Sequence, residues 1–220
     1  MLLRDKSSRD FARIFADARN HLDRFLEELH VLGASTLSNR TLIERFKERS
    51  IWYDKHRLRE VAERDRRSRE DNLTLELAKY LHDAGLVVLV RPRLSNLEPD
   101  AIGLAGLAVE SKAYDRSARR DIVKGYYQLH AYMMALQTTA MPVREGFLVA
   151  FRLGGALYDT PETMEIGRFL IHSTTIDLGL SNDSGRAQPQ PRLISEEEVL
   201  RAVNEASEDA AAASVEEDDD

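Results

Sequence analysis

Over residues 8–31 apolar side chains return at three- and four-residue spacing (Phe11, Ile14, Phe15, Ala18, Leu22, Phe25, Leu26, Leu29), with charges on the other positions. That period predicts an amphipathic helix stopped near Gly33. A second helical stretch, 38–69, is dense in charge and poor in apolar residues after Tyr53, and a break is expected near Ser50. From Asp71 the texture changes. Leu73, Leu77, Tyr80, Leu81 and Ala84 mark a helix over 72–84 ended by Gly85, and the β-branched run 86–90 reads as a buried strand. Gly103 and Gly106 punctuate a hairpin between Ala101-Ile102 and Leu107-Ala108-Val109. Ile122, Tyr126, Leu129, Met133 and Leu136 stripe a helix over 117–137, and two further strands follow at 146–153 and 168–178. The stretch 181–191 (SNDSGRAQPQP) is a loop, 195–208 a last short helix, and the acidic end is expected to be disordered. From residue 72 the order is helix, three strands, helix, two strands, which predicts an α/β or α+β sandwich. The chain thus divides into a helical extension (1–70), a core (71–195), and a short helix with an acidic tail (196–220).

Composition narrows the class. The 220 residues, 43% hydrophobic, suffice for one core with an extension. With no cysteine, disulfides, zinc–thiolate sites and thiol nucleophiles are excluded, and a reducing cytoplasm fits. No apolar run approaches the ~18 residues of a membrane span. The opening Met-Leu-Leu-Arg-Asp-Lys lacks the apolar stretch of a signal peptide, so a soluble cytoplasmic protein is expected. The net charge of −7 is unevenly spread: residues 196–220 hold eleven acids and one base, a charge of −10, which leaves 1–195 at +3. Residues 40–69 carry eleven Lys or Arg against six Asp or Glu. A basic body with an acidic tail suits a polyanionic partner, and solvated helical faces would look the same.

The segment PDAIGLAGLAVESK holds the candidate chemistry. Asp100 begins one strand, and Glu110 and Lys112 stand at i and i+2 on the next, so they share a face. Val109 points the other way, into the core, and Ser111 points away from Glu110. Charge on a mostly apolar strand is costly unless satisfied, and the polar residues that follow suggest a site at a sheet edge. Carboxylates on rigid strands suit magnesium, a hard ion that takes oxygen ligands. Glu110 would bind the metal, and Lys112 would orient or help deprotonate an attacking water. The competing reading is a solvated hairpin carrying an i, i+2 charge pair.

Pro99-Asp100 followed by Glu110-Ser111-Lys112 on a hairpin resembles the PD-(D/E)XK phosphodiesterase superfamily, whose fold is restriction-endonuclease-like. The resemblance covers about 72–153. It implies catalytic Asp100, Glu110 and Lys112, with a metal on Asp100 and Glu110. An upstream helical acid often completes the metal site in that family, and Glu76 in LELAKYL matches its position; an exposed helix glutamate is the plainer reading. Gln128-Leu129-His130-Ala131-Tyr132 resembles the Gln-x-x-x-Tyr element of the RecB-like and Cas4-like branch. That implies substrate-binding Gln128, Tyr132 and Lys124, with Gln128 approaching the metal site, Tyr132 supporting the substrate side and Asp121 on the same side of the helix; a polar helix flank is the alternative. The missing cysteine cluster excludes an iron–sulfur version.

Together these expectations describe a Mg²⁺-dependent nuclease, with Mn²⁺ able to substitute. DNA stands ahead of RNA by the resemblance alone. The Phe11–Leu29 stripe points to a homo-oligomer, most simply a dimer, or to a protein partner docked on the N-terminal helices; the other reading is that it packs wholly on the chain's own core. The alternative is a catalytically silent nuclease-fold or helical interaction protein within a larger nucleic-acid-processing complex. The six histidines show no metal-ligand spacing, and Gly103–Gly106 lacks the Lys-Ser/Thr of a phosphate-cradling loop. Trp52 and Tyr53, among Arg49, Lys55, Arg57 and Arg59, read either as core anchors of a helical subdomain or as base-stacking aromatics.

Overall fold

The computed structural model describes residues 38–93, 98–103, 106–139, 142–179 and 190–216, with side chains to 208. Contacts divide the chain into Met1–Ser38 and Asn39–Asp220. The helix expected over 8–31, its dimer-forming stripe, and loop residues 181–189 lie outside the described residues.

Helix α1 (Asn39–Trp52) buries Leu42, Ile43, Phe46 and Ser50, the stripe its three- and four-residue spacing creates. Phe46 packs on Phe151 of the sheet, ring centroids 6.4 Å apart, and on Tyr80, 5.4 Å away. The chain turns at Tyr53 and Asp54, whose N–H groups both return to the Arg49 carbonyl. Helix α2 (Lys55–Arg64) follows, burying Leu58 and Ala62. The expected break near Ser50 therefore comes after Trp52. Helix α3 (Arg69–Asp83) starts before residue 72 and buries Leu73, Thr74, Leu77, Ala78 and Leu81. Gly85 ends it at φ +92, its N–H on the His82 carbonyl and the Leu86 N–H on the Leu81 carbonyl. Glycine suits that left-handed stop. Residues 39–70, expected in the extension, thus belong to the same unit as the sheet, because α1 uses its apolar stripe to cover one sheet face.

The strands are β1 (Val88–Val90), β2 (Ala101–Gly103), β3 (Leu107–Tyr114), β4 (Glu145–Arg152), β5 (Tyr158–Asp159), β6 (Thr163–Ile166), β7 (Phe169–Asp177) and β8 (Arg192–Leu193). Six of them form a mixed sheet in the order β1-β2-β3-β4-β7-β6, while β5 and β8 pair separately. β1, β2 and β3 meander antiparallel, β3, β4 and β7 run parallel, and β6 returns antiparallel along β7. The β3–β4 parallel pair needs a crossover, which helix α4 (Arg119–Leu136) supplies. α4 covers the face opposite α1. A Cβ on Gly146 would meet the Met133 sulfur at 2.6 Å, so glycine there lets helix and sheet close up. Covered on both faces, β4 is buried at six consecutive positions, Gly146 to Phe151. The chain is a mixed α/β protein with helices flanking its sheet.

Three expectations change. The run 86–90 is not a buried strand: Val87, Leu89 and Val90 are exposed, because β1 is the outermost strand. β6 is a further strand, four residues long and interrupted by exposed Glu165, too short for a period to register. Helix α5 (Glu196–Glu216) runs past 208, so the acidic end is helical as far as Glu216. Ala210 to Ala213, the strongest helix formers, extend it. No helix among the described residues is long and apolar enough to cross a membrane.

Candidate active site

β2 pairs with β3 only as far as Ala101↔Val109, although β3 continues to Tyr114. On that side the N–H groups beyond Val109 have no strand to bond. A buried unpaired N–H costs about 1–3 kcal/mol, so another acceptor is required. Two carboxylates fill the gap. Ser111 N–H donates to Asp100 Oδ2 at 2.7 Å, and Ala113 N–H donates to Glu70 Oε2 at 3.1 Å. Asp100 directly precedes β2, while Glu70 lies in the first turn of α3, where the helix dipole favours negative charge. The site lies where the β2–β3 ladder stops, on an inner strand of the sheet and not at its outer edge.

Glu110 and Lys112 occupy alternate positions on this stretch and share one face, as their spacing requires. Lys112 Nζ donates to Glu110 Oε1 at 2.5 Å and to Glu70 Oε1 at 3.5 Å. Glu110 is only 3% exposed, and its Oε2 is buried with no hydrogen-bond partner. The lysine stem passes beneath Gly125 of α4: a Cβ there would lie 3.4 Å from Lys112 Cε and 2.6 Å from Leu148 Cδ1. Val109 is fully buried, as expected, and Ser111 is buried with its Oγ unpartnered.

Burial sets the electrostatics. It pushes Asp100 up to about 6, against the pull of the Ser111 N–H and with help from the Glu70 charge. It pushes Glu110 up to about 8, with Asp100 adding repulsion that Lys112 offsets only in part. Lys112 is displaced the other way from what its own burial favours: Glu110 and Glu70 hold its proton on, well above the ordinary lysine range. Three carboxylates and one ammonium leave an excess of negative charge in a mostly dry place. A cation would relieve it.

Both acids have higher pKa values folded than their ordinary 3.8 and 4.5. Their contribution to stability is therefore complete below those ordinary values, and it is lost as pH rises through about 6 for Asp100 and about 8 for Glu110. Melting temperature in EDTA should fall between about pH 5 and about pH 8, and excess Mg²⁺ should recover most of that fall. A metal-free melting curve independent of pH over that window would contradict the assignment.

The other expected residues separate into those near the cluster and those away from it. Glu76 does not join it: one oxygen accepts from Lys79 Nζ at 2.8 Å and the other is ion-paired with Arg57. Burial alone would raise its pKa, but Lys79 and Arg57 hold it below the ordinary range. Glu76 thus fastens α3 to α2, and the helical acid at the cluster is Glu70. Gln128 and Tyr132 lie three and seven residues beyond Gly125, on the same flank of α4. Gln128 Oε1 is buried without a partner. Tyr132 is buried, so it belongs to the packing instead of lying off it. Its hydroxyl is pushed up to about 12 by burial and then by the charges of Glu110 and Asp100. Lys124 and Asp121 are exposed and line a groove against Glu198, Arg201 and Glu205 of α5, away from the carboxylates.

Glu70 is the residue the sequence reading missed. Its only sequence signal is its place at the head of a helix, in REDNL, just before the apolar stripe. Among the described residues no three His, Cys, Asp or Glu side chains form a ready-made metal cage. The Lys112 ammonium lies between Glu110 and Glu70. The all-oxygen donors of Asp100 and Glu110, with the orphaned Glu110 Oε2, nonetheless fit a hard divalent cation such as Mg²⁺ or Mn²⁺. Comparison with protein-family models, with curated proteins and with solved structures finds no match to this chain.

Proposed function

We propose that this chain hydrolyses phosphodiester bonds of nucleic acid, DNA ahead of RNA, with a divalent cation held by Asp100 and Glu110. The observation that carries the reading is the meeting of Asp100, Glu110, Glu70 and Lys112 where β2 ends and β3 continues, with Glu110 Oε2 buried and unpartnered. The PD-(D/E)XK resemblance gains support from the arrangement around it. A helix bearing an acid precedes an antiparallel meander, the Asp position directly precedes its second strand and the Glu-x-Lys positions fall on its third, and a crossover helix leads to a parallel strand. A restriction-endonuclease-like fold is the corresponding proposal for the core. In this reading Glu70, and not Glu76, is the helical acid of the site.

When bound, the cation supplies Lewis acidity toward a phosphoryl oxygen and toward water. The chain's own groups do the rest. Asp100 and Glu110 provide the anionic face, and Asp100 is held rigid by the Ser111 N–H. Lys112 stays protonated, so its work is electrostatic and positional, beside the charge that develops on the phosphate, and not that of a base. Gln128 offers a buried free acceptor on the α4 side, and Tyr132 a protonated hydroxyl.

Calorimetric titration with Mg²⁺ or Mn²⁺ tests the metal site. Heat of binding is expected for the native chain and is expected to vanish in the Asp100→Asn, Glu110→Gln double variant; binding retained there contradicts the proposal. Lys112→Ala should lower turnover by about a hundredfold or more with metal affinity unchanged or tighter, because one positive charge leaves the cluster. A metal affinity that falls in step with the rate would make Lys112 a structural residue.

A further inference from the structure

We propose that Trp52 and Tyr53 form a platform on which unpaired bases of a nucleic-acid strand stack. The two residues are consecutive, at the turn from α1 to α2, and they are 78% and 86% exposed. That excludes the core-anchor reading of the sequence. Among the described residues neither ring packs on another aromatic, although Phe46 of α1 and Tyr80 of α3 pack on each other. Two neighbouring large rings turned to water carry a cost that is recovered when an apolar surface covers them, and a flat one can stack on both.

Charge says what that cover is. Arg49 and Arg57, next to the pair, are engaged by Asp54 and Glu76. Arg45 on α1, Lys55 and Arg64 on α2, and Arg66 and Arg67 in the following turn make no ion pair among the described residues. On these arms the five free bases outnumber the three acids without an ion pair among the described residues, Glu48, Glu60 and Asp65, so the excess free charge beside the aromatic turn is positive, which suits a phosphate backbone with bases laid on the rings. Within a duplex the base faces are already stacked on one another, so the occupant is a single strand, a flap or a frayed end. The platform connects to the catalytic helix: the Arg49 guanidinium lies over the Tyr80 ring, 5.8 Å from its centroid. Tyr80 is on α3, about 15 Å of helix rise from Glu70. The inference rests on the proposed phosphodiester substrate and assigns its class, nucleic acid that presents unpaired bases.

Trp52 is the single tryptophan of the chain, so intrinsic tryptophan fluorescence reports this site alone. The full-length protein in EDTA, where nothing is cut, is titrated with oligothymidylate of about 15 nucleotides. Saturable quenching is expected, weaker with a blunt duplex of the same length. Trp52→Ala and Tyr53→Ala, followed by anisotropy of a labelled oligonucleotide, are each expected to weaken binding about tenfold while leaving the melting temperature unchanged. Unquenched fluorescence with the oligonucleotide bound, or unchanged affinity in both variants, overturns the proposal and assigns the rings to a protein partner. Failure to bind the oligonucleotide at all overturns it too. The titration is separate from cleavage. If it fails in a chain that cuts DNA in Mg²⁺, only the platform is lost; quenching in a chain that cuts nothing keeps the platform and removes the nuclease reading.

Discussion

Asp100→Asn and Glu110→Gln are each expected to lower phosphodiester cleavage about a thousandfold or more, a loss of about 4 kcal/mol in transition-state stabilisation. The reason is that the two carboxylates together make the anionic face, and neither has a substitute on the same strands. Fold disruption is not the cause. In Asp100→Asn the amide oxygen can still accept the Ser111 N–H that the carboxylate accepts at 2.7 Å. The variant removes a charge that burial has made unfavourable, so without metal near pH 8 its melting temperature should rise, by about 4 °C. With excess Mg²⁺ the order should reverse, because only the native protein gains from the ion. Glu110→Gln should gain at least as much without metal, since burial and the Asp100 charge push Glu110 further, up to about 8, even with Lys112 beside it. Thermal melts with and without Mg²⁺, set beside cleavage rates, check both signs. Activity kept in either variant, or activity lost only because the variant is unfolded, contradicts the assignment.

Glu70 and Glu76 give the second large contrast. Glu70→Gln is expected to lower cleavage about a hundredfold, because it removes the third negative charge of the cluster and one of the two carboxylates that hold Lys112. The amide oxygen can still receive the Ala113 N–H, so stability should change little. Glu76→Gln is expected to leave the rate within about twofold and to lower the melting temperature by a few degrees, since Arg57 and Lys79 lose their shared partner. Initial rates and melts of the two variants, measured together, decide which helical acid belongs to the site. Equal loss of rate in both, or loss in Glu76→Gln alone, restores the position that sequence alone suggests.

How much was legible depended on how local the cause was. The β2–β3 hairpin was readable because Gly106, at φ +79, closes on the Gly103 carbonyl, and glycine marks such turns. The shared face of Glu110 and Lys112 follows from the two-residue period of a strand, and their 2.5 Å contact agrees with it. Glu70 was hidden because its role arises from tertiary structure. It is selected by the Ala113 N–H, which lacks a strand partner only because β2 is three residues long. Spacing along α3 made Glu76 look equivalent, yet Glu76 turns toward α2, whose Arg57 meets it. Strand order was likewise out of reach, so the apolar run ending at Val90 looked buried when it forms the outer strand. Tyr132 looked like a polar flank because its hydroxyl conceals how much of the ring is buried.

A divalent ion on Asp100 and Glu110 is proposed to enable this chain to cut a phosphodiester. The most direct measurement is the initial rate of plasmid cutting by EDTA-stripped protein as Mg²⁺ is added, with Glu110→Gln prepared in parallel. The predicted result is no cutting before the metal, a saturable onset as it is added, and none at any concentration for the variant. Cutting in EDTA, equal cutting by the variant, or no cutting of plasmid, linear duplex, single-stranded DNA or RNA in either Mg²⁺ or Mn²⁺ would contradict it.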